Sequence, residues 1–396
     1  MFTPPHVFDQ PPPAFDIHAI ESPAFVVDVA LLRQNLEKLD LVQREAGVTV
    51  LLALKGFSMF STFPLVRQYL GGCCASGLNE ALLAYHEFGK EVHVYAPAFK
   101  PKEMEQIIPI SNHISFNSMA QWRRFRPMLE AARAAGQNAP SPGIRVNPEH
   151  SEVEVSLYDP CSPGCRLGIR AGSLEGEDLS GIEGLHFHAL CEQGSDVLER
   201  VVGAVEKRFP KLLEQVRWVN MGGGHHITRS DYDVERLIRV LRDFKARWGK
   251  EEVYIEPGEA VGLNTGYLIA EVQDITPTDP PTIILDISAS AHMPDTMEMP
   301  YRPHIFGGGM PGEFAHEYKM GGMTCLAGDV LEGFSFPQPL QTGQRLVFAD
   351  MAHYTMVKTT TFNGVHHPDI AIYDPATKEY RVVRRFGYED FRDKLS

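Results

Sequence analysis

Cysteine is scarce in this chain: Cys73, Cys74, Cys161, Cys165, Cys191 and Cys325 are all there are in 396 residues. So few thiols in so long a chain exclude a disulfide framework and predict free cysteines. Cys161 and Cys165 share the segment DPCSPGCRLG, but no second Cys or His pair has the spacing of a metal knuckle, so a plain loop and no metal are expected there. Long apolar runs are also missing. None approaches the roughly 20 residues that cross a bilayer, and the N-terminal MFTPPHVFDQPPPAFD has no basic start followed by an apolar stretch. These absences predict a cytoplasmic protein without a membrane partner. Positive charge is in deficit, with 37 Lys and Arg against 51 Asp and Glu and a formal charge of −14. A surface that binds a phosphate backbone is basic, so no nucleic-acid partner is expected, whereas an acidic protein suits a cationic ligand. No G-x-G-x-x-G follows the first predicted strand, which removes the main support for a dinucleotide fold. Internal repeats and low-complexity tracts are absent too.

What is present is an alternation. From residue 48 to 258, short apolar runs separated by stretches with apolar residues three and four apart predict parallel strands joined by crossover helices. Eight strand candidates can be counted: 48–55, 72–76, 91–98, 113–117, 143–148, 184–190, 216–224 and 253–258. Eight strands of this kind close a (β/α)8 barrel. LNEALLAYHEFG, MAQWRRFRPMLEAARAAG and VERLIRVLRDFKARWG read as outer helices, and the Pro-, Gly- and Ser-rich residues 149–183 as a long loop with a short connecting element. After residue 262 the texture turns to short β-prone stretches broken by Pro and Gly. SPAFVVD (22–28) looks like a strand that joins them. The fold class is therefore α/β: a barrel over residues 29–261, plus an all-β sandwich or barrel domain built from 1–28 and 262–396.

In such a barrel the site is built where strands end. Lys55 closes the apolar run VTVLLAL; burial there would disfavour the ammonium and lower its pKa, as an imine-forming lysine requires. Alone it is equally a lysine leaving a strand for water. Gly222, Gly223 and Gly224 follow the seventh strand, and backbone N–H groups unobstructed by Cβ atoms suit a phosphate. A following helix capped by Ser230 or Thr228 would add its positive end; a tight turn alone would also use three glycines. Glu256 ends VYIE among apolar neighbours and needs a proton or a cation, such as a pyridinium nitrogen. His188 shares a strand face with His186, and a flat imidazole can stack on a cofactor ring.

A lysine ending strand one, a glycine turn after strand seven and Glu-Pro-Gly after strand eight together resemble the fold-type III pyridoxal-phosphate decarboxylases of the ornithine and diaminopimelate decarboxylase group. The likeness extends to CCASGLNEALLA (73–84, with Glu80), CRLGI (165–169), GGMTCLAGD (321–329) and MAHYTMVKTTTFNG (351–364). It implies pyridoxal 5′-phosphate as cofactor, bonded by Lys55, with His188 on its ring and Glu256 at the ring nitrogen. Gly222, Gly223, Gly224, Gly258 and Tyr354 would serve the phosphate end. Cys325 would protonate Cα after CO₂ leaves, reaching the site from a partner subunit, so that a homodimer with shared sites is implied.

Departures from the usual pattern narrow the resemblance. Glu-Pro-Gly-Arg becomes Glu256-Pro257-Gly258-Glu259, His-Ile-Gly-Ser becomes His188-Ala189-Leu190-Cys191, and the acid after the cysteine becomes Leu326. With ALKGFS and LHFHALCE, these features look like the carboxynorspermidine/carboxyspermidine decarboxylase branch of the family. A multiply charged amine substrate in polyamine biosynthesis is then expected, and Glu259, Asp295 and Asp329 are the candidates to receive it. Three other readings stay open. They are a decarboxylase for diaminopimelate, ornithine, arginine or lysine; a metal-dependent barrel hydrolase built on His186-x-His188; and a non-catalytic pyridoxal-phosphate carrier.

Overall fold

The computed structural model describes residues 9–396, which divide into two units: residues through Gln34 with Gly262–Ser396, and Asn35–Val261. The first strand, β1 (Ala24–Asp28), belongs to the former. The next eight are β2 (Thr49–Ala53), β3 (Gly72–Ala75), β4 (Glu91–Tyr95), β5 (His113–Phe116), β6 (Ser141–Arg145), β7 (Gly184–His186), β8 (Trp218–Asn220) and β9 (Glu252–Ile255). They close a parallel barrel in chain order, with β9 pairing back onto β2. β5, β7 and β8 are buried at every position, as strands covered on both faces must be.

The helices obey the amphipathic pattern. In Val234–Trp248, Leu237, Val240, Leu241 and Phe244 turn inward at spacings of three and four. Asp233 caps its start by accepting from the Arg236 N–H, and Gly249, at φ 56°, ends it. Residues 149–183 hold only the short turns Ser156–Tyr158 and Ala171–Leu174. Inside the barrel, Leu51, Trp218 and Tyr254 form a closed cluster, and glycine makes room for the indole: a Cβ at Gly184 would lie 1.8 Å from Trp218 Cε2. Gly184→Ala is therefore expected to overpack this layer by about 1–3 kcal/mol. At roughly 2–4 °C per kcal/mol the melting temperature should fall by several degrees, and an unchanged Tm would contradict the packing described.

The other unit is one mixed sheet. Its strands are β1, β10 (Gly266–Thr276), β11 (Thr282–Leu285), β12 (His316–Gly321), β13 (Val330–Phe336), β14 (Arg345–Ala349), β15 (Asp369–Asp374) and β16 (Glu379–Arg384). Their order is β13-β12-β11-β10-β1-β15-β16, with β14 also on β10. β1 lies antiparallel to β10 and parallel to β15, so the N-terminal strand is the link expected of it. Both faces of this sheet are apolar. Phe25, Leu268 and Ala270 face one core, while Val26, Tyr267 and Ile269 alternate into the other.

Candidate active site

Parallel strands put all their C-terminal ends at one mouth of the barrel, and the chemical residues lie just past those ends. β2 stops at Ala53, and Lys55 sits in the turn that follows. That turn is fixed by backbone: Leu54 N–H donates to Cys74 O at 3.1 Å and Ala53 N–H to Pro257 O at 3.0 Å. Gly56 packs so closely on the Gly258–Glu259 backbone that a Cβ would come within 3.0 Å of it. Lys55 is exposed, contrary to the expectation of a desolvated amine, because the chain has already left the barrel wall two residues earlier. Its charge nevertheless reaches the interior. Burial pushes the Cys74 thiol well above its usual value and Glu256 adds to this, while Lys55 pulls the other way. His188 is held well below its usual value, first by burial and then by the charges of Lys55 and Arg145. Lys55, Cys74, His188 and Glu256 thus share one electrostatic site.

Neutral His188 has a defined tautomer, since its Nδ1 accepts the Gly223 N–H at 2.9 Å, which leaves the proton on Nε2. Its carbonyl accepts from Arg145 at 3.3 Å, and the Arg145 guanidinium lies 4.5 Å from the centre of the Tyr95 ring. Gly223 thus orients the His188 ring and Arg145 ties its backbone.

Glu256 follows β9 and is 11% exposed in its side chain. Asn220 donates to its Oε1 at 2.5 Å, and His186 Nε2 stands 3.5 Å from Oε2. Burial alone pushes this carboxyl up, but the His186 and His93 imidazoles and the Asn220 amide outweigh it and hold it below its usual range. His186 is lowered by its own burial, more than Glu256 raises it. The pair carries its charge on Glu256, and a buried carboxylate of this kind calls for a cationic N–H. A protonated pyridine nitrogen fits it.

The glycine turn differs in part from expectation. A Cβ at Gly222, Gly223 or Gly224 would fall 2.4 Å from Phe187 O, 2.2 Å from Glu256 O or 2.0 Å from Leu190 O, so only glycine fits. Yet the Gly222 N–H donates to Asn220 Oδ1 at 2.9 Å and the Gly223 N–H to His188. Two of the three expected phosphate donors are thus used to position Asn220 and His188, and among the described residues only the Gly224 N–H of the three has no such bond. No helix end follows at once either. Thr228 donates to Ala260 O at 2.6 Å, and the helix begins at Val234 under its Asp233 cap.

Glu259 opens the short helix Glu259–Gly262, with its Oε2 3.1 Å from His226 Nε2. Glu192 joins them, and one donor atom from each of the three lies within 4.8 Å of the others. Sequence reasoning missed Glu192, His226, Asn220 and Arg145. Glu192 closes LHFHALCE and His226 lies two residues past the glycine turn, whereas Asn220 and Arg145 carry no signal beyond lying at strand ends.

In the sheet unit, Cys325 is exposed, and its N–H donates to Asn363 Oδ1 at 2.8 Å. Tyr354 is half-buried at φ 50°, a left-handed conformation. Two expected amine receptors are otherwise engaged. Asp295 is bonded to Lys358, which also pairs with Glu298 at 2.6 Å. Asp329 is buried and accepts from the Ser290 N–H at 3.0 Å and the Thr324 hydroxyl at 2.6 Å, so it ties two loops together.

The model of the pyridoxal-dependent decarboxylase family, C-terminal sheet domain, matches residues 24–352. The chain is 47% identical to a carboxyaminopropylagmatine decarboxylase of Synechocystis sp., over 96% of this chain and 96% of that protein. It is 43% identical to a carboxynorspermidine/carboxyspermidine decarboxylase of Campylobacter jejuni, over 94% and 98%. Among solved structures, a carboxynorspermidine decarboxylase from Campylobacter jejuni complexed with norspermidine superposes with a TM-score of 0.86 at 42% identity, covering 95% of this chain and all of that one. A diaminopimelate decarboxylase from Helicobacter pylori gives 0.80 at 17% identity over 95% and 98%, a likeness of fold. No helix among the described residues is long and apolar enough to cross a membrane.

Proposed function

This chain belongs to the pyridoxal-dependent decarboxylase family, and we propose that it removes the α-carboxylate of carboxynorspermidine and carboxyspermidine, giving norspermidine and spermidine in polyamine biosynthesis. The observation that carries this choice is Glu259 at the barrel mouth with Glu192 beside it, a negative site where the family's usual arginine would be positive. Each substrate carries, besides its amino-acid end, secondary and primary amines that are charged near neutral pH. A desolvated ammonium needs acidic partners of this kind. The 47% identity to the Synechocystis protein favours one second reading, an agmatine-derived substrate ending in a guanidinium.

Pyridoxal 5′-phosphate, when bound, supplies an electron-withdrawing ring that takes up the electron pair left as CO₂ departs. Around it Lys55 provides the amine that bonds the aldehyde. His188 would face the ring, its imidazole oriented by the Gly223 N–H and its backbone carbonyl tied by Arg145. Glu256 would keep the ring nitrogen protonated and Gly224 would donate to the phosphate, with Gly222, Gly223 and Gly258 admitting the backbone around it, and Tyr354 would be a further phosphate donor. Cys325 would deliver the proton to Cα, brought to the site by a second copy of the chain. Exposed Met323, Leu326 and Phe362 make the surface of the Cys325 and Asn363 loops apolar enough to be covered by that copy. Six free cysteines suit a cytoplasmic setting.

The test is CO₂ release across carboxynorspermidine, carboxyspermidine, carboxyaminopropylagmatine, diaminopimelate, ornithine, arginine and lysine. kcat/KM for the two carboxy-polyamines should exceed that for the simple amino acids by on the order of 10²-fold or more, since the latter lack the further amines that Glu259 and Glu192 would receive. Preference for diaminopimelate or ornithine would refute the substrate assignment. In the same assay Cys325→Ala should retain cofactor but lose turnover; unchanged kinetics would remove it from the reaction.

A further inference from the structure

The N-terminal mouth of the barrel, opposite Lys55, gathers a second set of ionisable groups. Glu91 is the first residue of β4, His113 the first of β5 and Glu252 the first of β9, with His93 in register with His113 on the neighbouring strand. We propose that Glu91, His93 and His113 bind one divalent transition-metal ion of the zinc class, with Glu252 or water completing its shell.

The geometry is close to what such an ion needs. Glu91 Oε2 lies 3.0 Å from His93 Nε2, and His113 Nε2 lies 3.4 Å from Glu252 Oε2. Bonds of about 2.0–2.1 Å in a tetrahedral zinc centre put neighbouring donors about 3.3 Å apart. One donor atom from each of Glu91, His93 and His113 already lies within 4.8 Å of the others, so the shell closes by movements of at most about 1.5 Å. Glu91 and Glu252 are partly exposed and have the freedom to make them. Two imidazoles with carboxylates suit zinc or cobalt, whereas magnesium and calcium favour oxygen alone.

The surroundings also leave a charge to be met. His113 is 8% exposed, and its buried Nδ1 has no hydrogen-bond partner while Nε2 faces Glu252 beyond ordinary hydrogen-bond length. It stacks on His93 with ring centres 4.2 Å apart, and both rings pack on Tyr254. Burial, His93 and Arg217 push the His113 imidazole down to about 2, so it offers a lone pair and no charge at neutral pH. Tyr254 sits against both carboxylates and is itself pushed up by burial and by their charges. The nearby guanidinium, Arg217, is already engaged with Glu183 at 3.0 Å and Glu251 at 3.4 Å. Two carboxylates beside two imidazoles form a centre that a dication neutralises. Its role would be structural, cross-linking β4 and β5, and β9 as well where Glu252 completes the shell, since chemistry takes place at the other mouth.

Holoenzyme stripped with a chelator and dialysed should take up one equivalent of Zn²⁺ or Co²⁺ at this site, with a rise in Tm. Glu91→Gln/His113→Asn should lose at least tenfold in affinity while keeping the cofactor's visible band, and Glu192→Gln should leave metal binding intact. Anomalous diffraction at the zinc edge on zinc-soaked wild-type crystals reads the site without any variant, and a peak between Glu91, His93 and His113 is expected. No uptake, a peak elsewhere, or binding lost with Glu192→Gln and kept in the double variant would overturn the proposal.

Discussion

Lys55→Ala is expected to leave a folded protein that holds no cofactor covalently and releases CO₂ no faster than free cofactor in solution. The side chain is exposed in its turn, so truncation creates no cavity and Tm should stay within about a degree of the wild type. The turn itself is held by the Leu54 and Ala53 backbone bonds and by the Gly56 contact with Gly258, none of which uses the lysine side chain. What disappears is the amine that carries the aldehyde and exchanges it with the substrate amine, a step that no other group among those placed at this mouth can perform. The visible absorption of the reconstituted protein reads the first effect and CO₂ release the second. A normal band with wild-type turnover would contradict the role given to Lys55.

The second large effect is on the ring nitrogen. Glu256→Gln preserves size and a hydrogen-bonding end, but it removes the charge that Asn220 and His186 are arranged to hold. A neutral amide cannot keep a pyridine nitrogen protonated, so the ring withdraws electrons less strongly just as negative charge develops. The loss in kcat should be on the order of 10²–10³, comparable with removing one preorganised electrostatic partner elsewhere. Cofactor content should fall much less, because Lys55 and the phosphate contacts remain. A variant with kcat within threefold of wild type would show that Glu256 is not the ring's partner.

Much of this was legible in the chain because barrels couple pattern to place. A run of apolar residues followed by Lys55, a triple glycine or Glu-Pro-Gly marks a strand end, and strand ends mark the site. The eight predicted runs correspond to β2–β9, but the runs were too long at their C-terminal ends. β8 stops at Asn220, before the glycines, and β7 stops at His186, before His188, because residues that serve the site leave the ladder. The ties that the functional groups make with one another were not legible. Gly223 serving His188, Asn220 serving Glu256, and His226 facing Glu259 join segments more than thirty residues apart, and no local spacing records them. The same limit applies to two of the candidate acids. Asp295 and Asp329 looked like free carboxylates in polar segments, and only the fold brings Lys358 to the first and Ser290 and Thr324 to the second.

Borohydride tests cofactor attachment at Lys55 most directly. Holoenzyme reduced with borohydride, digested and mapped by mass spectrometry should carry the phosphopyridoxyl group on the peptide containing Leu54-Lys55-Gly56, and Lys55→Ala should carry none. The label on any other lysine, or no label on an active enzyme, would contradict it.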